Sequence, residues 1–566
     1  MASGTKKAVG SVLNRLPGVV YSRPEDVAQW ISNGSWFDMT VGDALHIQAQ
    51  RQPNSPAFIS DERLLSFAEL DIESDRVGAA LLSLGLLPGD RVVVQLGTTI
   101  ETVITVTGLY KAGLIPVCAI PQYREIEIRQ LITLSGARAH IVQCDFSSFD
   151  LAAFADRMKG EHSTIEHVCI LRGSRPEIGA DLIALASAIS PKDARAYLVD
   201  LPIGSGDVLS FQLSGGTTGI PKIIPRFHGE YLAHTVAGMR QFGFGCEDRM
   251  IWPLPLLHNA GQVYAMIPPL VLGSSTVILP KLDIRQLLAT IERHQVTHAI
   301  SIGPVGGQIL NYKDLADHNL KSLRMFATMS GARTLEQHLG VPCVNLYGIT
   351  EGLLLGSAPE SAAAIRHESN GFSGIPDDVI RLVDPVTGSE AAPGQDGELI
   401  FRGPSSLKGY YGAPDATAEV LDSDGFFKSG DIMRHVEVKG QIGYHFRGRT
   451  RDNVNRGGEK IGCEEVETLV ARHPDVAEAR LVAMPDPIFG EKGCIFIIPR
   501  PGAEAPGVSA LAGFLVAQGL AKFKCPERVE RIDIFPVTRV GKLDRMALRK
   551  RIRELLEAES SAHRGN

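Results

Sequence analysis

The sequence has little cysteine, and none of it is arranged to build a scaffold. Its 566 residues include eight cysteines, with no C-x-x-C pair, and the closest two, Cys144 and Cys169, are 25 residues apart. This pattern argues against a disulfide framework and against a cysteine-rich zinc site. It is typical of a protein that works in the reducing cytoplasm.

Long apolar runs are missing as well. The longest apolar stretch, residues 79–87, is interrupted by Ser83 and Gly85, whereas a membrane span needs ~20 apolar residues. Residues 1–18 lack the apolar core of a signal peptide. We therefore expect a soluble, cytoplasmic protein without a membrane partner.

An excess of positive charge is also absent. The chain carries 57 Lys and Arg against 64 Asp and Glu, a net charge of −7, whereas nucleic-acid-binding proteins are normally basic. A hydrophobic content of 44% with 21% charged residues excludes wholesale disorder. At about 100–200 residues per domain, the length allows two to four folding units.

Short apolar runs alternate with amphipathic helical patterns along most of the chain, which predicts an α/β fold with largely parallel sheets. The segment 283–292 has a helical pattern, and the segment 394–403 reads as a turn followed by a β segment. The runs that predict strands include 91–96, 139–143, 275–279 and 298–302.

The composition changes near residue 449. A polar, glycine-containing segment, residues 450–460, reads as a linker or an exposed loop, and the remaining residues suffice for one small α+β unit. We therefore predict a large N-terminal domain, residues 1–449, of parallel-rich sheets and helices with a β subdomain, and a small C-terminal domain, residues 450–566. Segment 521–554 holds eleven Lys or Arg and five Asp or Glu. It is either a solvated helical face or a docking surface for an acidic partner.

The most informative segment is rich in glycine. Residues 213–222, L-S-G-G-T-T-G-I-P-K, follow the strand-like run 208–213. Glycines let backbone N–H groups approach a phosphate closely, and the hydroxyls and the lysine of the segment add further donors. The Walker A spacing G-x4-G-K-[ST] is absent.

This segment resembles the phosphate loop of the adenylate-forming enzymes, a superfamily of acyl-CoA synthetases, peptide-synthetase adenylation domains and luciferases. Further motifs of that family follow in the expected order. They are Tyr347-Gly-Ile-Thr-Glu351, Lys428-Ser-Gly-Asp431, Gly448-Arg449 with Asn455-Arg-Gly-Gly-Glu-Lys460, and Gly541-Lys542. The resemblance extends over essentially the whole chain and implies activation of a carboxylate by ATP.

The resemblance also implies roles for individual residues. Thr350 would donate to the α-phosphate, Glu351 would hold Mg²⁺, and Asp431 would bind the ribose hydroxyls. Tyr347 and the backbone of residues 331–332 would sandwich the adenine. The implied ATP-binding set is Ser214, Gly215, Gly216, Thr217, Thr218, Gly219, Lys222, Gly331, Ala332, Tyr347, Gly348, Thr350, Asp431, Arg449 and Lys542.

The C-terminal motifs imply a moving domain. Lys542 matches the family's catalytic lysine, which bridges the substrate carboxylate and the α-phosphate. Arg449 would contact ribose or phosphate. Arg451 lies at the family's hinge position, which is usually Asp or Lys. By this resemblance the small domain is mobile and rotates about the hinge between adenylate formation and thioester formation.

Several segments are similar to one branch of the family, the stand-alone aryl-acid–AMP ligases, which activate 2,3-dihydroxybenzoate or salicylate for siderophore-type synthetases. These segments are 120–128, 253–259, 351–354, 455–460 and 490–500. In that branch the His-Asn pair, here His258 and Asn259, lines the aryl pocket, and the Asn amide reaches the ortho substituent. The implied substrate-binding set is His258, Asn259, Tyr264, Ser330, Gly331 and Leu354, and the implied catalytic set is Lys542, Thr350, Glu351 and His258.

Three departures from that branch reshape the pocket. Ala260 stands where an aromatic residue is usual, Tyr264 stands where Ser or Cys is usual, and Ser330 replaces the first glycine of a Gly-Gly pair. The expected substrate remains an aromatic carboxylic acid of the salicylate, dihydroxybenzoate or anthranilate type. Its ring substituents stay open.

The identity of the thiol acceptor leaves alternatives. The leading hypothesis is transfer of the aryl group to the phosphopantetheine thiol of an aryl carrier protein, supplied by another molecule because the chain contains no carrier attachment motif. An aryl-CoA ligase that uses free coenzyme A is the alternative. The siderophore-type motifs argue against a luciferase-like oxygenase, and the presence of Glu351, Asp431 and Lys542 argues against a noncatalytic binding protein.

Overall fold

Two parallel-rich sheets form the centre of the larger, N-terminal part of the molecule. The computed structural model describes residues 9–214, 221–302, 305–385, 387–392, 394–438, 440–449, 453–536 and 543–564. Each of the two sheets has seven described strands and is parallel except for one antiparallel strand at an edge. In spatial order, the strands of the first are Ala180–Asp181, His167–Leu171, Ala139–Gln143, Arg91–Gln95, Ile115–Cys118, Val208–Leu213 and Ile223–Phe227. Those of the second are Cys343–Asn345, Met325–Thr328, His298–Ser301, Arg249–Trp252, Ser275–Ile278, Pro56–Ile59 and Leu64–Ser66.

The buried strands explain why the sequence shows continuous apolar runs there. Val92, Val93 and Val94 are fully buried, as expected of a parallel strand that is covered on both faces. The strand runs predicted near residues 91, 139, 275 and 298 are all confirmed, within one residue at either end.

Helices cover these sheets, and side-chain caps fix where several of them begin. For example, Asp283 accepts a hydrogen bond from the backbone N–H of Gln286 at 2.8 Å and so caps the helix Ile284–Arg293. The α-helices of the N-terminal part are Pro24–Ser32, Val41–Arg51, Phe67–Ser83, Ile100–Lys111, Glu125–Ser135, Leu151–Glu161, Leu182–Ser187, Pro191–Leu198, His228–Gln241, Asn259–Gly261, Ile267–Leu272, Ile284–Arg293, Val305–Leu310, Ala332–Leu339, Ala363–Glu368 and Pro414–Val420, with a π-helical turn Gln262–Met266 and a 3₁₀ turn Leu315–Asp317.

A β subdomain of two antiparallel sheets follows. Its four-stranded sheet consists of Val379–Val383, Asp396–Arg402, Phe427–Val438 and Gln441–Arg449. Its three-stranded sheet consists of Tyr347–Gly348, Leu354–Gly356 and Phe372–Ser373. The β segment predicted within residues 394–403 is confirmed by the strand Asp396–Arg402.

The C-terminal domain is built on one five-stranded sheet with helices. In spatial order the strands are Glu459–Gly462, Asn453–Arg456, Gly490–Pro499 and Val476–Asp486, with Arg528–Arg531 paired to Gly490–Pro499. Its helices are Cys463–Val470, Val508–Ala517 and Arg545–Arg564, with a 3₁₀ turn Lys522–Lys524. The predicted fold class is confirmed. The boundary between residues 449 and 450 stays a prediction, because residues 450–452 lie outside the described residues.

Part of the segment expected to be a linker or an exposed loop is instead a β-hairpin. The strands Asn453–Arg456 and Glu459–Gly462 pair in antiparallel register, and Val454 and Ile461 are buried in the domain core. The sequence motif N-R-G-G-E-K places two glycines at the turn, where both have positive φ. We refer to residues 453–462 as the hairpin.

A buried lysine joins the C-terminal domain to the N-terminal one. Lys524 Nζ lies 2.9 Å from Oε1 of Glu127, in the helix Glu125–Ser135, and 2.9 Å from Oε2 of Glu465, in its own domain. All three side chains are buried. Burial lowers the pKa of Lys524, but the two carboxylates outweigh it and hold the pKa above its usual value. We call these residues the Lys524 triad.

Glu127 serves two purposes at once. Its Oε2 accepts a hydrogen bond from the backbone N–H of Arg124 at 3.0 Å and so caps the helix, while Oε1 faces Lys524. The neighbouring side chain of Ile126 packs against the hydrophobic core of the C-terminal domain. The helix start is therefore both a capped terminus and a docking point.

Among the described helices, none combines the length and the hydropathy that a bilayer span needs.

We expect Glu127→Gln to loosen this docking without unfolding either domain. Glutamine can still accept the capping hydrogen bond, but Lys524 loses one of its two charged partners. This loss destabilises the docked arrangement by about 1.5–3 kcal/mol of free energy. Backbone amides of residues 125–135 and 519–525 should then exchange with deuterium about tenfold faster or more. Glu161→Gln is the matched control, because Glu161 pairs within the N-terminal domain with Arg129, which lies on the same helix as Glu127. Equal exchange in the two variants would show that the Lys524 triad does not hold the domains together.

Candidate active site

An inner cavity lies where the hairpin meets the N-terminal domain. Its N-terminal wall combines apolar side chains with a few polar ones. The lining residues are Tyr123, Leu213, His258, Asn259, Ala260, Val263, Tyr264, Ile302, Met329, Leu346, Gly348, Ile349, Thr350, Leu354, Asn455, Gly458, Glu459 and Lys460. Such a mixture suits a flat apolar ligand that carries a small number of polar groups.

His258 and Asn259 enter the cavity together because a short helix begins between them. His258 caps this helix: its Nδ1 accepts a hydrogen bond from the backbone N–H of Ala260 at 3.3 Å. Asn259 is largely buried, and its Oδ1 accepts a hydrogen bond from the Tyr231 hydroxyl at 2.7 Å. The sequence-predicted pair therefore lines one wall as a unit.

Tyr264 occupies the π-helical turn that follows. Its ring packs against Phe242 and Trp252, with centroids 5.9 and 6.5 Å apart, and burial raises the pKa of its hydroxyl. A side-chain carbon built on Gly348 would lie 3.8 Å from that hydroxyl, which places the hydroxyl at the cavity wall. The phenol is therefore neutral and available as a hydrogen-bonding group.

The hairpin closes the cavity from the C-terminal domain. Asn455, Gly458, Glu459 and Lys460 line it. Gly458 has φ of +95°, and a side-chain carbon there would lie 3.1 Å from Cγ2 of Ile302. Only glycine allows the turn to adopt this conformation at such a close approach.

An interdomain cleft adjoins the inner cavity. Both share Leu346 and Gly348 as lining residues. Ser330, Gly331 and Tyr347 also line the cleft. Further lining residues come from the C-terminal domain, among them Asn453, Pro487, Ile488, Phe489, Gly490, Glu491, Arg549 and Arg553.

Aromatic and acidic side chains are fixed beside this cleft. The rings of Tyr347 and Phe446 stack with centroids 6.3 Å apart. The Tyr347 hydroxyl donates to Oδ2 of Asp431 at 2.7 Å, and Asp431 is buried. Asp431 also lies opposite Arg449 in the register of two neighbouring strands. A flat ring and a carboxylate are thus held at one end of the cleft.

Thr350 and Glu351 lie in a turn that the β subdomain holds tightly. A side-chain carbon on Gly352 would come within 1.7 Å of the Ser405 carbonyl oxygen, so only glycine fits there. The backbone N–H of Leu407 donates to the Glu351 carbonyl at 2.7 Å, and Arg226 Nη1 donates to the Thr350 carbonyl at 3.1 Å. The turn is therefore fixed on both sides.

The Glu351 side chain is buried and lies near a cation. Its Oε1 accepts a hydrogen bond from the Tyr410 hydroxyl at 3.1 Å, and Lys222 Nζ lies 4.8 Å from the centre of the Tyr410 ring. Ser214 is also buried, and its backbone N–H donates to the Lys222 carbonyl at 3.0 Å. The two ends of the glycine-rich segment are therefore held together, and Tyr410 is contacted by both Lys222 and Glu351.

Some sequence-predicted site residues lie outside the described residues. They are Gly215, Gly216, Thr217, Thr218, Gly219, Arg451 and Lys542, together with the side chain of Arg449. Of the others, His258, Asn259, Tyr264, Gly348, Thr350 and Leu354 line the inner cavity, whereas Ser330, Gly331, Tyr347 and Gly348 line the cleft. Ala332 begins the helix Ala332–Leu339, and its backbone N–H donates to Asn345 Oδ1 at 3.0 Å.

Sequence reasoning missed the contribution of the hairpin to the inner cavity. It read residues 450–460 as a linker or an exposed loop, although the paired glycines between short β segments were a signal for a tight turn. It also missed Tyr231, whose position on the buried helix His228–Gln241 looks like ordinary core packing.

Comparisons with known proteins agree with this geometry. The family model described as "AMP-binding enzyme" matches residues 45–411, and the model described as "AMP-binding enzyme C-terminal domain" matches residues 465–542. A pyochelin synthase, PchD, from Pseudomonas aeruginosa strain UCBPP-PA14 is 35% identical over 542 residues, covering 94% of this chain and 96% of that protein. A 2,3-dihydroxybenzoate-AMP ligase from Bacillus subtilis is 33% identical over 549 residues, covering 94% and 98%. The apo structure of MbtA from Mycobacterium smegmatis has a TM-score of 0.70 and 29% identity, covering 94% of this chain and 98% of that one.

Proposed function

Since this chain belongs to the AMP-binding enzymes, we propose that it is an ATP-dependent ligase for an aromatic carboxylic acid. It forms the aryl adenylate with release of pyrophosphate, and then transfers the aryl group to the phosphopantetheine thiol of a carrier protein. One similar protein is named as a ligase for 2,3-dihydroxybenzoate, which supports an aromatic acid as the substrate class.

The adjacency of the inner cavity and the interdomain cleft is the observation that carries this proposal. They share Leu346 and Gly348, and Thr350 lies at the edge of the inner cavity. An aromatic ring in the inner cavity and a nucleotide in the cleft would meet at this shared wall. Holding two reactants in contact converts a bimolecular step into an effectively unimolecular one.

The first step forms a bond between two anions. An oxygen of the carboxylate attacks the α-phosphorus of ATP, and the bond to the pyrophosphate oxygen breaks. Positive charge and hydrogen-bond donors must offset the repulsion. Lys222, at the end of the glycine-rich segment, lies over the ring of Tyr410, and we assign its charge to this task. By their positions in the motifs we assign Lys542 and Arg449 to the same task.

The residues around Glu351 fit Mg²⁺. Among the described residues, no three His, Cys, Asp or Glu side chains cluster as a metal site, so an all-protein cage is not available there. Mg²⁺ commonly binds through one or two carboxylates together with substrate phosphates and water. The buried carboxylate of Glu351, next to the glycine-rich segment, matches that requirement. When bound, Mg²⁺ would neutralise phosphate charge.

The cleft fits the nucleotide. Tyr347 and Gly331 both line the cleft, and we assign the adenine to a position between the Tyr347 ring and the backbone of residues 331–332. Asp431, fixed by the Tyr347 hydroxyl, can accept hydrogen bonds from the paired ribose hydroxyls.

The second step needs a thiol at the acyl carbon. The thiolate attacks that carbon, the thioester bond forms, and AMP leaves with the electrons of the broken acyl–oxygen bond. In this structure the hairpin of the C-terminal domain lines the inner cavity. We therefore assign the present arrangement of the C-terminal domain to the transfer step, and we propose that the domain moves about Arg451 for adenylation.

The surface that would meet a carrier protein is smaller than the basic segment 521–554. Lys524 is buried in the Lys524 triad. Arg528 lies 2.6 Å from Glu559, and Arg545 lies 2.6 Å from Glu467. Those cations stabilise the domain itself. Lys522 and Arg551 are exposed, and we assign them to contact with an acidic partner. We place the enzyme in the cytoplasm, where ATP and carrier proteins are available.

We predict that Lys542→Ala abolishes adenylate formation and preserves transfer from a pre-formed aryl adenylate to the thiol. The lysine charge offsets the repulsion of the first step only, and its removal should lower ATP–pyrophosphate exchange by about 10² or more. The measurement compares exchange with single-turnover transfer. Near-normal exchange would exclude Lys542 from the first step.

A second prediction concerns the acceptor. Loading of a phosphopantetheinylated aryl carrier protein should weaken as salt rises, because the attraction is between exposed charges. Arg551→Glu should raise the KM for the carrier about threefold or more without changing ATP–pyrophosphate exchange. Arg531→Glu is the control, since Arg531 is exposed beside Asp533. If free coenzyme A is as good an acceptor as the carrier, the CoA-ligase alternative is correct.

A further inference from the structure

A buried hydrogen bond fixes the orientation of the one amide side chain that enters the inner cavity from the N-terminal domain. The hydroxyl of Tyr231 lies 2.7 Å from Oδ1 of Asn259. Tyr231 itself is fully buried and does not line the cavity. It therefore affects a ligand only through Asn259.

The surroundings of Tyr231 keep its hydroxyl in one position. The guanidinium carbon of Arg226 lies 4.9 Å from the centre of its ring, and the ring of His234 stacks on it with centroids 6.3 Å apart. Burial raises the pKa of the phenol well above its usual value. The hydroxyl is therefore protonated throughout the pH range in which the enzyme would work, and it always has a proton to donate.

In the structure the amide oxygen of Asn259 faces this hydroxyl, and the distance fits that arrangement. A separation of 2.7 Å is typical of an O–H···O hydrogen bond, whereas N–H···O bonds cluster near 2.9–3.0 Å. If the amide were turned around, the phenol proton would be left with the Asn259 backbone carbonyl, which is 3.4 Å away. The oxygen of the amide consequently faces Tyr231, and the NH₂ group is available to the cavity.

We propose that Tyr231 is a positioning residue that makes Asn259 a hydrogen-bond donor, and that the enzyme thereby selects aromatic acids whose ortho substituent accepts a hydrogen bond. This inference rests on the proposed function and sharpens it. An ortho-hydroxy acid presents oxygen lone pairs to the amide N–H even when its own proton bonds to the neighbouring carboxylate. An ortho-amino acid presents N–H groups, and its nitrogen lone pair is delocalised into the ring. The N–H donors of the substrate would therefore face the N–H donors of the Asn259 amide.

The size of the discrimination follows from the cost of an unmade bond. A site that hydrogen-bonds one substituent leaves buried polar groups unpaired when a substrate carries a different substituent. Such sites discriminate strongly between the two substrates. We therefore expect salicylate to exceed anthranilate at least tenfold in kcat/KM for ATP–pyrophosphate exchange.

The test compares two buried tyrosines. Tyr231→Phe keeps the ring and removes the hydroxyl, so the amide of Asn259 is free to turn, and the ratio of kcat/KM for salicylate over anthranilate should fall to about threefold or less. Tyr110→Phe is the matched control, since the Tyr110 hydroxyl donates to Oε1 of Gln262 at 2.6 Å in the same buried region and Gln262 does not line the cavity. That variant should keep the wild-type ratio, and benzoate serves as the reference in all three enzymes.

A third variant keeps the proposal testable if Tyr231→Phe does not fold. Asn259→Asp has nearly the same shape but only accepts hydrogen bonds, so anthranilate should gain relative to salicylate by tenfold or more. The proposal is overturned if wild type prefers anthranilate, or if Tyr231→Phe keeps the full wild-type ratio. If no aromatic acid supports exchange in wild type, the proposed function itself is wrong; activity towards benzoates without an ortho preference would contradict only the role of Tyr231.

Discussion

The buried contact between Lys524 and the two carboxylates of Glu127 and Glu465 is the constraint on which the rest of the site depends. Burying a charge is costly unless it is paired, and the docking of the C-terminal domain against the helix Glu125–Ser135 supplies that pairing for Lys524 and Glu127. That docking brings the hairpin to the inner cavity. A contact outside the lining of both cavities thus decides which residues close the site.

The distribution of charged and apolar side chains is a second constraint on the site. The proposed reaction brings a carboxylate to a polyphosphate. The buried carboxylate of Glu351 and the cation of Lys222 both contact Tyr410, and the inner cavity has a mixed polar and apolar lining. Val263 and Leu354 contribute apolar side chains to that cavity. We place the reacting atoms where the inner cavity and the cleft share Gly348.

Much of this arrangement is predictable from the sequence, and the exceptions have physical reasons. Apolar runs such as residues 91–96 and 139–143 identify strands because both faces of a parallel sheet are buried. The ordered motifs around Glu351 and Asp431 identify the family, which the matches over residues 45–411 and 465–542 confirm. Tertiary contacts are not encoded in local patterns, however. In the sequence, Lys524 looks like part of a basic surface. The hydrogen bond between Tyr231 and Asn259 joins residues that are 28 positions apart.

The central claim is that the inner cavity holds an aromatic acid against ATP. Its most direct test is ATP–pyrophosphate exchange by the wild-type enzyme with a panel of acids: salicylate, 2,3-dihydroxybenzoate, anthranilate, benzoate, and straight-chain fatty acids of six to twelve carbons. The account predicts exchange with the ortho-hydroxy acids, at least tenfold weaker exchange with anthranilate and with benzoate, and none above background with the fatty acids. Exchange that is strongest with a fatty acid, or absent with every aromatic acid, would contradict it.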